Sequence, residues 1–207
     1  SDISLLPGSG VNLKEFKYSI PPQQDKIFLM PCRMLWDKGI KEYVDAASKL
    51  KEKYNNVNFI LSGPYDASNP GSVSLDYLHK LNEFNIVNWL GDVKDMPKLY
   101  EGSSVVVVPS FYNEGLPKVL LEAAASGRAA ITTDMPGCKD AIEENVTGLI
   151  IPKQDSNALY SAMEKFIMDE WLILSMGESA RIKAENEFDI KYVVNKHISI
   201  YRDLSKL

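Results

Sequence analysis

Val105-Val106-Val107-Val108-Pro109-Ser110-Phe111-Tyr112-Asn113-Glu114-Gly115-Leu116-Pro117-Lys118-Val119-Leu120-Leu121-Glu122-Ala123-Ala124-Ala125-Ser126-Gly127 holds a whole strand-to-helix unit. Four consecutive valines make the continuous apolar run expected of a strand buried on both faces of a parallel sheet. A polar and aromatic turn follows. Pro117 then suits the first helical position, where its missing N–H costs nothing, and Gly127 suits the helix end. Glu122 is the only charge in residues 119–125, so this helix has almost no polar face and is expected to be largely buried. A buried carboxylate is costly without partners. Vicinal hydroxyls of a ribose or pyranose are suitable ones, because each carboxylate oxygen can accept a hydrogen bond. A buried donor or Arg128 would serve equally, and Glu114 also reads as a plain loop residue ahead of a helix dipole.

Outward from this unit the same alternation fills the chain. Short runs rich in β-branched residues predict strands at 27–31, 57–61, 86–90, 105–109, 130–133 and 149–151. Helical periodicity predicts helices at 39–54, 73–83, 96–102, 117–126 and 138–144, then at 156–168, 170–187 and 190–207. Alternating β and α units imply an α/β fold: one Rossmann-like, doubly wound parallel sheet with right-handed crossovers and helices on both faces. Ser68-Asn69-Pro70-Gly71-Ser72 reads as a surface loop, and no internal repeat is apparent.

Composition agrees with one compact domain spanning 1–207. Hydrophobic residues make up 45% and charged residues 25%, the balance of an ordinary globular protein. Acidic residues outnumber basic ones, 28 to 23, for a formal net charge of -5, which argues against nucleic acid as a partner. Cys32 and Cys138 are too few and too far apart for a disulfide framework, and no histidine stands at ligand spacing from either. No apolar stretch approaches the roughly 20 residues of a membrane-spanning helix. The expected location is therefore cytoplasmic.

In open α/β sheets, ligands bind beyond the carboxyl ends of the strands, where strand order reverses. The first strand is followed by Arg33-Met34-Leu35-Trp36-Asp37-Lys38-Gly39, with one cation in the turn and another at the helix start. A cation at the positive end of a helix dipole is mildly unfavourable on its own. A bound diphosphate reverses that sign. Two solvated surface charges are the plainer alternative.

Taken together, these segments resemble the family 4 glycosyltransferases (glycosyl transferases group 1). The Glu-x7-Glu pair Glu114/Glu122 looks like that family's signature. Four further pieces match in order: Gly8-Ser9-Gly10-Val11-Asn12 with Phe16, residues 33–39, Leu90-Gly91, and Thr147-Gly148-Leu149-Ile150-Ile151-Pro152. Thr132-Thr133-Asp134-Met135-Pro136-Gly137-Cys138 most resembles bacterial members that build surface polysaccharides or glycan-lipids.

The resemblance implies the C-terminal, donor-binding half of a GT-B fold, with the N-terminal acceptor domain outside this chain. It implies a retaining glycosyltransferase using a nucleoside-diphosphate sugar, UDP-linked by preference and with an N-acetylated sugar as one option, and a glycan or lipid-linked acceptor. It further implies that no metal or other cofactor takes part and that the domain alone is inactive. On matching positions, Arg33 and Lys38 hold the diphosphate, Glu114 faces the donor sugar and Glu122 holds the ribose hydroxyls. Gly115, Leu116 and Lys118 border the phosphates with backbone N–H groups, and Gly63, Gly91 and Val93 border the base. Pro117 departs from the pattern, since it has no N–H to offer a phosphate. A GT-B epimerase of sugar nucleotides, or a nucleotide-binding module without catalysis, would share much of this sequence pattern.

The last predicted helix carries an apolar stripe, Val193, Val194, His197, Ile198, Tyr201 and Leu204, expected to pack on its own domain. By resemblance, the last helix crosses back to the first domain, which would leave part of the stripe exposed. Lys191, Lys196, Arg202 and Lys206 are few for an anionic membrane surface, and any such contact is expected to be peripheral.

Overall fold

The computed structural model describes residues 8–113 and 115–204, the last two through their backbone. Six parallel strands form one sheet in the order β3-β2-β1-β4-β5-β6. They are β1 (Lys26–Pro31), β2 (Val57–Ser62), β3 (Asn88–Trp89), β4 (Val105–Val108), β5 (Ala129–Thr133) and β6 (Gly148–Ile151). Between and after them come α1 (Ile40–Lys53), α2 (Leu75–Glu83), α3 (Met96–Glu101), α4 (Lys118–Ala125), α5 (Cys138–Ala141), α6 (Ser156–Met168), α7 (Glu170–Lys183) and α8 (Ile190–Leu204). This is the doubly wound α/β arrangement that the sequence predicts.

Alternation along the strands divides the core between two faces. Phe28 and Met30 of β1 and Phe59 of β2 pack with α1, α2 and α6, and Phe28 stacks on Phe59 at 5.4 Å. Leu29, Val106 and Val108 pack on the other face with Tyr100 of α3 and Leu120 and Leu121 of α4. Helix starts are fixed by side-chain acceptors at Ser74, Asp95, Asp155 and Asp169.

Several boundaries differ from expectation, each for a local reason. Strand β3 is only two residues long. The Asn82 amide covers its outer edge, accepting from Trp89 N–H at 2.6 Å and donating to Trp89 carbonyl at 3.1 Å. Pro117 is the extended residue before α4, not its first turn. Helix α5 stops at Ala141 because Ile142 turns extended and Glu143 N–H goes to the Thr147 hydroxyl at 2.9 Å. The helix predicted at 170–187 ends at Lys183 and continues as a π-helical segment, Ala184–Phe188. Of the stripe on α8, Val193 is buried, whereas Val194, Ile198 and Tyr201 are exposed. That correction follows from how α8 is attached: its start is pinned by Ile190 N–H to Val11 carbonyl, and of the described stripe residues Val193, one turn on, is the one that is fully buried. Lys206 and the Leu204 side chain lie outside the described residues. Among the described residues, no helix is long and apolar enough to cross a membrane.

Arg128 is fully buried, and its role was not foreseen. It does not pair with Glu122; its guanidinium donates to the carbonyls of Ser19, Tyr100, Glu101 and Ser126 and to the Ser19 hydroxyl. It thereby ties the N-terminal segment, the end of α3 and the end of α4 together. Burial lowers its pKa to about 10, still far above neutrality. Arg128→Met would orphan several carbonyls at once. Urea unfolding should show a loss of about 3 kcal/mol or more, since each buried unsatisfied group costs about 1–3 kcal/mol; a loss under about 1 kcal/mol would contradict this assignment.

Candidate functional site

The strand order reverses between β1 and β4, and a cavity of about 280 Å³ opens at their carboxyl ends. Arg33, Lys38, Ser110 and Lys118 line it together with the apolar Met30 and Val107. Two glycines make this closeness possible. A Cβ on Gly39 would lie 2.2 Å from the Pro109 carbonyl oxygen, so the turn after β1 rests directly on backbone after β4. Phe111 N–H donates to the Asp37 carbonyl at 3.0 Å, stitching the two turns together. A Cβ on Gly63, at φ +146°, would lie 1.8 Å from the Cys32 carbonyl oxygen, so the turn after β2 closes on the same place.

Each cation is placed by its backbone. Lys38 ends a 3-10 turn, Trp36–Lys38, and Gly39 in the left-handed region caps α1 behind it. Its ammonium sits 5.2 Å from the centre of the Tyr112 ring, a cation–π contact. Arg33 is exposed at the mouth. Lys118 is the first residue of α4, where the opening N–H groups have no acceptor inside the helix. The Leu120 N–H is turned back onto Pro117 carbonyl at 3.0 Å. Positive charge and a helix start therefore converge on one partly apolar cavity.

The remaining candidates fall around this centre. Gly63 N–H donates to Gly91 carbonyl at 2.8 Å, and Val93 lies half-buried just beyond. These residues form a neighbouring wall and do not line the cavity itself. Gly115 is exposed, and half-buried Leu116 packs by Gly8, whose Cβ would lie 3.1 Å from that of Leu116. The Gly8-Ser9-Gly10 motif thus adjoins the signature loop. Glu114 lies outside the described residues.

Glu122 stands one helical turn from Lys118 and is 7% exposed. Its Oε2 accepts from the Tyr100 hydroxyl at 3.0 Å, and its Oε1 lies 3.6 Å from Lys118 Nζ. Burial pushes its carboxyl above the usual carboxylate range, while the Tyr100 hydroxyl and Lys118 ammonium pull it back. Sequence reasoning missed Tyr100 and also Trp89, whose indole N–H donates to Gly63 carbonyl at 3.2 Å. A tyrosine or a tryptophan in the sequence carries no sign of which polar group its hydroxyl or N–H will meet. Ser62 was missed as well; its hydroxyl is buried without a partner at the end of β2. His79 packs edge-on against Trp89, and His197 faces the Val193 carbonyl, both away from the cavity. Among the described residues, no group of three or more His, Cys, Asp or Glu could hold a metal ion.

An open parallel sheet with cations and a helix start at its switch point defines a class of α/β protein whose ligand site lies at the carboxyl ends of the strands. The model of the family described as glycosyl transferases group 1 matches residues 12–183, and the chain belongs to that family. It is 31% identical over 213 aligned residues to a Campylobacter jejuni N,N'-diacetylbacillosaminyl-diphospho-undecaprenol alpha-1,3-N-acetylgalactosaminyltransferase, covering 96% of this chain and 54% of that protein. Among solved structures, sucrose-phosphate synthase from Thermosynechococcus elongatus aligns with a TM-score of 0.83 and 26% identity, over 95% of this chain and 51% of that one. Anabaena HepE in complex with UDP aligns at 0.80 with 20% identity, over 96% and 56%, a likeness of fold. The chain spans about half the length of the relatives it matches.

Because the folded-state value of Glu122 is raised, folding favours its protonated form. That contribution is complete below the ordinary carboxylate value and is lost as pH rises through the folded one. Lys118→Met removes a cation that lowers this value. A carboxyl-carbon NMR titration should place the Glu122 midpoint above its ordinary value in the parent and higher still in the variant; an unshifted midpoint in both would contradict the assigned burial and pairing.

Proposed function

We propose that this chain is the donor-binding, C-terminal half of a retaining family 4 glycosyltransferase of the GT-B type. It would hold a UDP-linked sugar for transfer to a glycan or lipid-linked acceptor in bacterial surface-polysaccharide or glycoconjugate synthesis. The observation that carries this reading is the convergence of Arg33, Lys38, Lys118 and the start of α4 on one cavity at the strand-order reversal. A diphosphate meets each of those features favourably, since it accepts backbone N–H groups and pairs with cations.

The chemistry asked of these residues is electrostatic. As the sugar–phosphate bond breaks, negative charge grows on the departing diphosphate, and fixed cations at Arg33 and Lys38 lower the cost without reorganising. No metal has a part in this scheme. Glu122 would accept from the ribose hydroxyls, and Glu114 would face the donor sugar. Gly63, Gly91 and Val93 would border the base. The C. jejuni relative's name refers to an undecaprenol-linked acceptor, which supports a lipid-linked acceptor here. The acceptor would bind against the part of the enzyme outside this chain, leaving the chain alone without transfer activity and the whole enzyme on the cytoplasmic side, in at most peripheral contact with the membrane.

Thermal shift and calorimetry with UDP and UDP-sugars in excess chelator test this directly. UDP should stabilise the chain without added metal. Glu122→Gln should weaken UDP and UDP-sugar alike, by about one to two decades for the loss of about 1.5–3 kcal/mol from a charged acceptor. Glu114→Gln should chiefly weaken the UDP-sugar. Strict dependence on magnesium or manganese, or equal effects of the two substitutions on bare UDP, would count against the site as drawn.

A further inference from the structure

Tyr100 is the last buried aromatic residue of α3, fully shielded from solvent on the face of the sheet that α4 covers. Burying a phenol in an apolar core is unfavourable unless its hydroxyl is bonded. Here the hydroxyl lies 3.0 Å from Glu122 Oε2 and 3.2 Å from the Val119 carbonyl, and its single proton is shared between two acceptors of α4. The residue is held through both its ring and its backbone. Phe16 meets it edge-on at 5.8 Å, the Arg128 Nε–H binds its carbonyl at 2.8 Å and the Ser103 hydroxyl binds the same carbonyl at 2.8 Å.

Glu122 has no comparable second anchor. Lys118 is 3.6 Å away, and its side chain is mostly exposed. A phenylalanine at position 100 would fill the same apolar space, so the hydroxyl adds nothing to the packing that a ring alone would not supply. Its effect is on the carboxylate: one lone pair of Oε2 is taken, and Oε1, which faces Lys118 Nζ at 3.6 Å, has a second lone pair for a further donor, as does Oε2.

We infer that Tyr100 is a positioning residue of the nucleotide site, its buried hydroxyl fixing the Glu122 carboxylate in the orientation that meets both ribose hydroxyls. This rests on the donor-site reading of Glu122. The groups that face the carboxylate are Tyr100 from α3, Lys118 from α4 itself and Glu15 from the N-terminal segment. The first two favour its charged form and Glu15 opposes it. Removing the Tyr100 hydroxyl should therefore move the acid limit of nucleotide binding to higher pH.

The test compares this chain with its Tyr100→Phe variant by calorimetry, using UDP and 2′,3′-dideoxyuridine diphosphate over a pH series in chelator, with melting curves as a check on folding. UDP should bind the variant about tenfold more weakly at neutral pH. The dideoxy ligand should lose less than about twofold, because its ribose offers Glu122 nothing to lose. In a Glu122→Gln background the second substitution should have little further effect. Site-specific 3-fluorotyrosine at position 100 keeps the shape and strengthens the donor. It should move the acid limit to lower pH, and it decides the question should Tyr100→Phe fail to fold. Equal losses for both ligands, or an unmoved acid limit in the fluorinated protein, would make Tyr100 a packing residue only. A parent chain that binds UDP no better than the dideoxy ligand overturns the role while leaving nucleotide binding intact; a parent that binds neither overturns the donor site and this role with it.

Discussion

The parallel pairing of β1 with β4 at the middle of the sheet is the constraint from which the rest of the molecule follows. Phe28 lies opposite Val105 and Leu29 opposite Val106, yet α1, β2, α2, β3 and α3 all lie between the two strands in the chain. From this pair the chain winds outward both ways, to β2 and β3 on one side and to β5 and β6 on the other. Helix α1 therefore leaves β1 toward one face and α4 leaves β4 toward the other. The turns that begin these helices are left facing each other across a gap. Gly39 against Pro109 and Gly63 against Cys32 set how narrow that gap is, because no side chain fits between those backbones.

The chemistry of the gap is uneven by design of the sequence. Cations stand on its rim, and the one carboxylate of α4 is kept behind it, buried and bonded to Tyr100. Lys38 rests on the exposed Tyr112 ring and Arg33 lies exposed at the mouth, so both stand where an anion can meet them. Glu122 is the opposite case. Its burial raises its carboxyl above the usual range, a strain that hydroxyl donors on a ligand would relieve.

Much of this was legible in the sequence because it rests on local rules. The valines of β4 announce a doubly covered strand, and the six strands lie where apolar β-branched runs predicted them. Arg33 and Lys38 were singled out by their place after the first strand, and the family resemblance gave them their roles and added Lys118; the three line one cavity. What stayed hidden depends on contacts distant in the chain. Arg128 bonds to Ser19, over a hundred positions away in sequence (|i−j| = 109), which no window of periodicity can see. Tyr100 and Trp89 look like core residues until the hydroxyl reaches Glu122 and the indole reaches Gly63. Strand β3 was overdrawn because its edge is taken by the Asn82 side chain, a substitute for a further strand. The stripe on α8 was read as core since amphipathic period does not say which body covers the apolar face.

The central claim is that an anionic nucleotide binds in the gap between β1 and β4. Amide chemical-shift mapping of this chain with UDP, in chelator, measures it most directly. Saturable shifts should cluster at residues 32–39, at 110–119 and at Gly63 and Gly91, with Glu122 responding alongside. An absence of saturable shifts, or shifts confined to the amino-terminal ends of the strands, would contradict the claim.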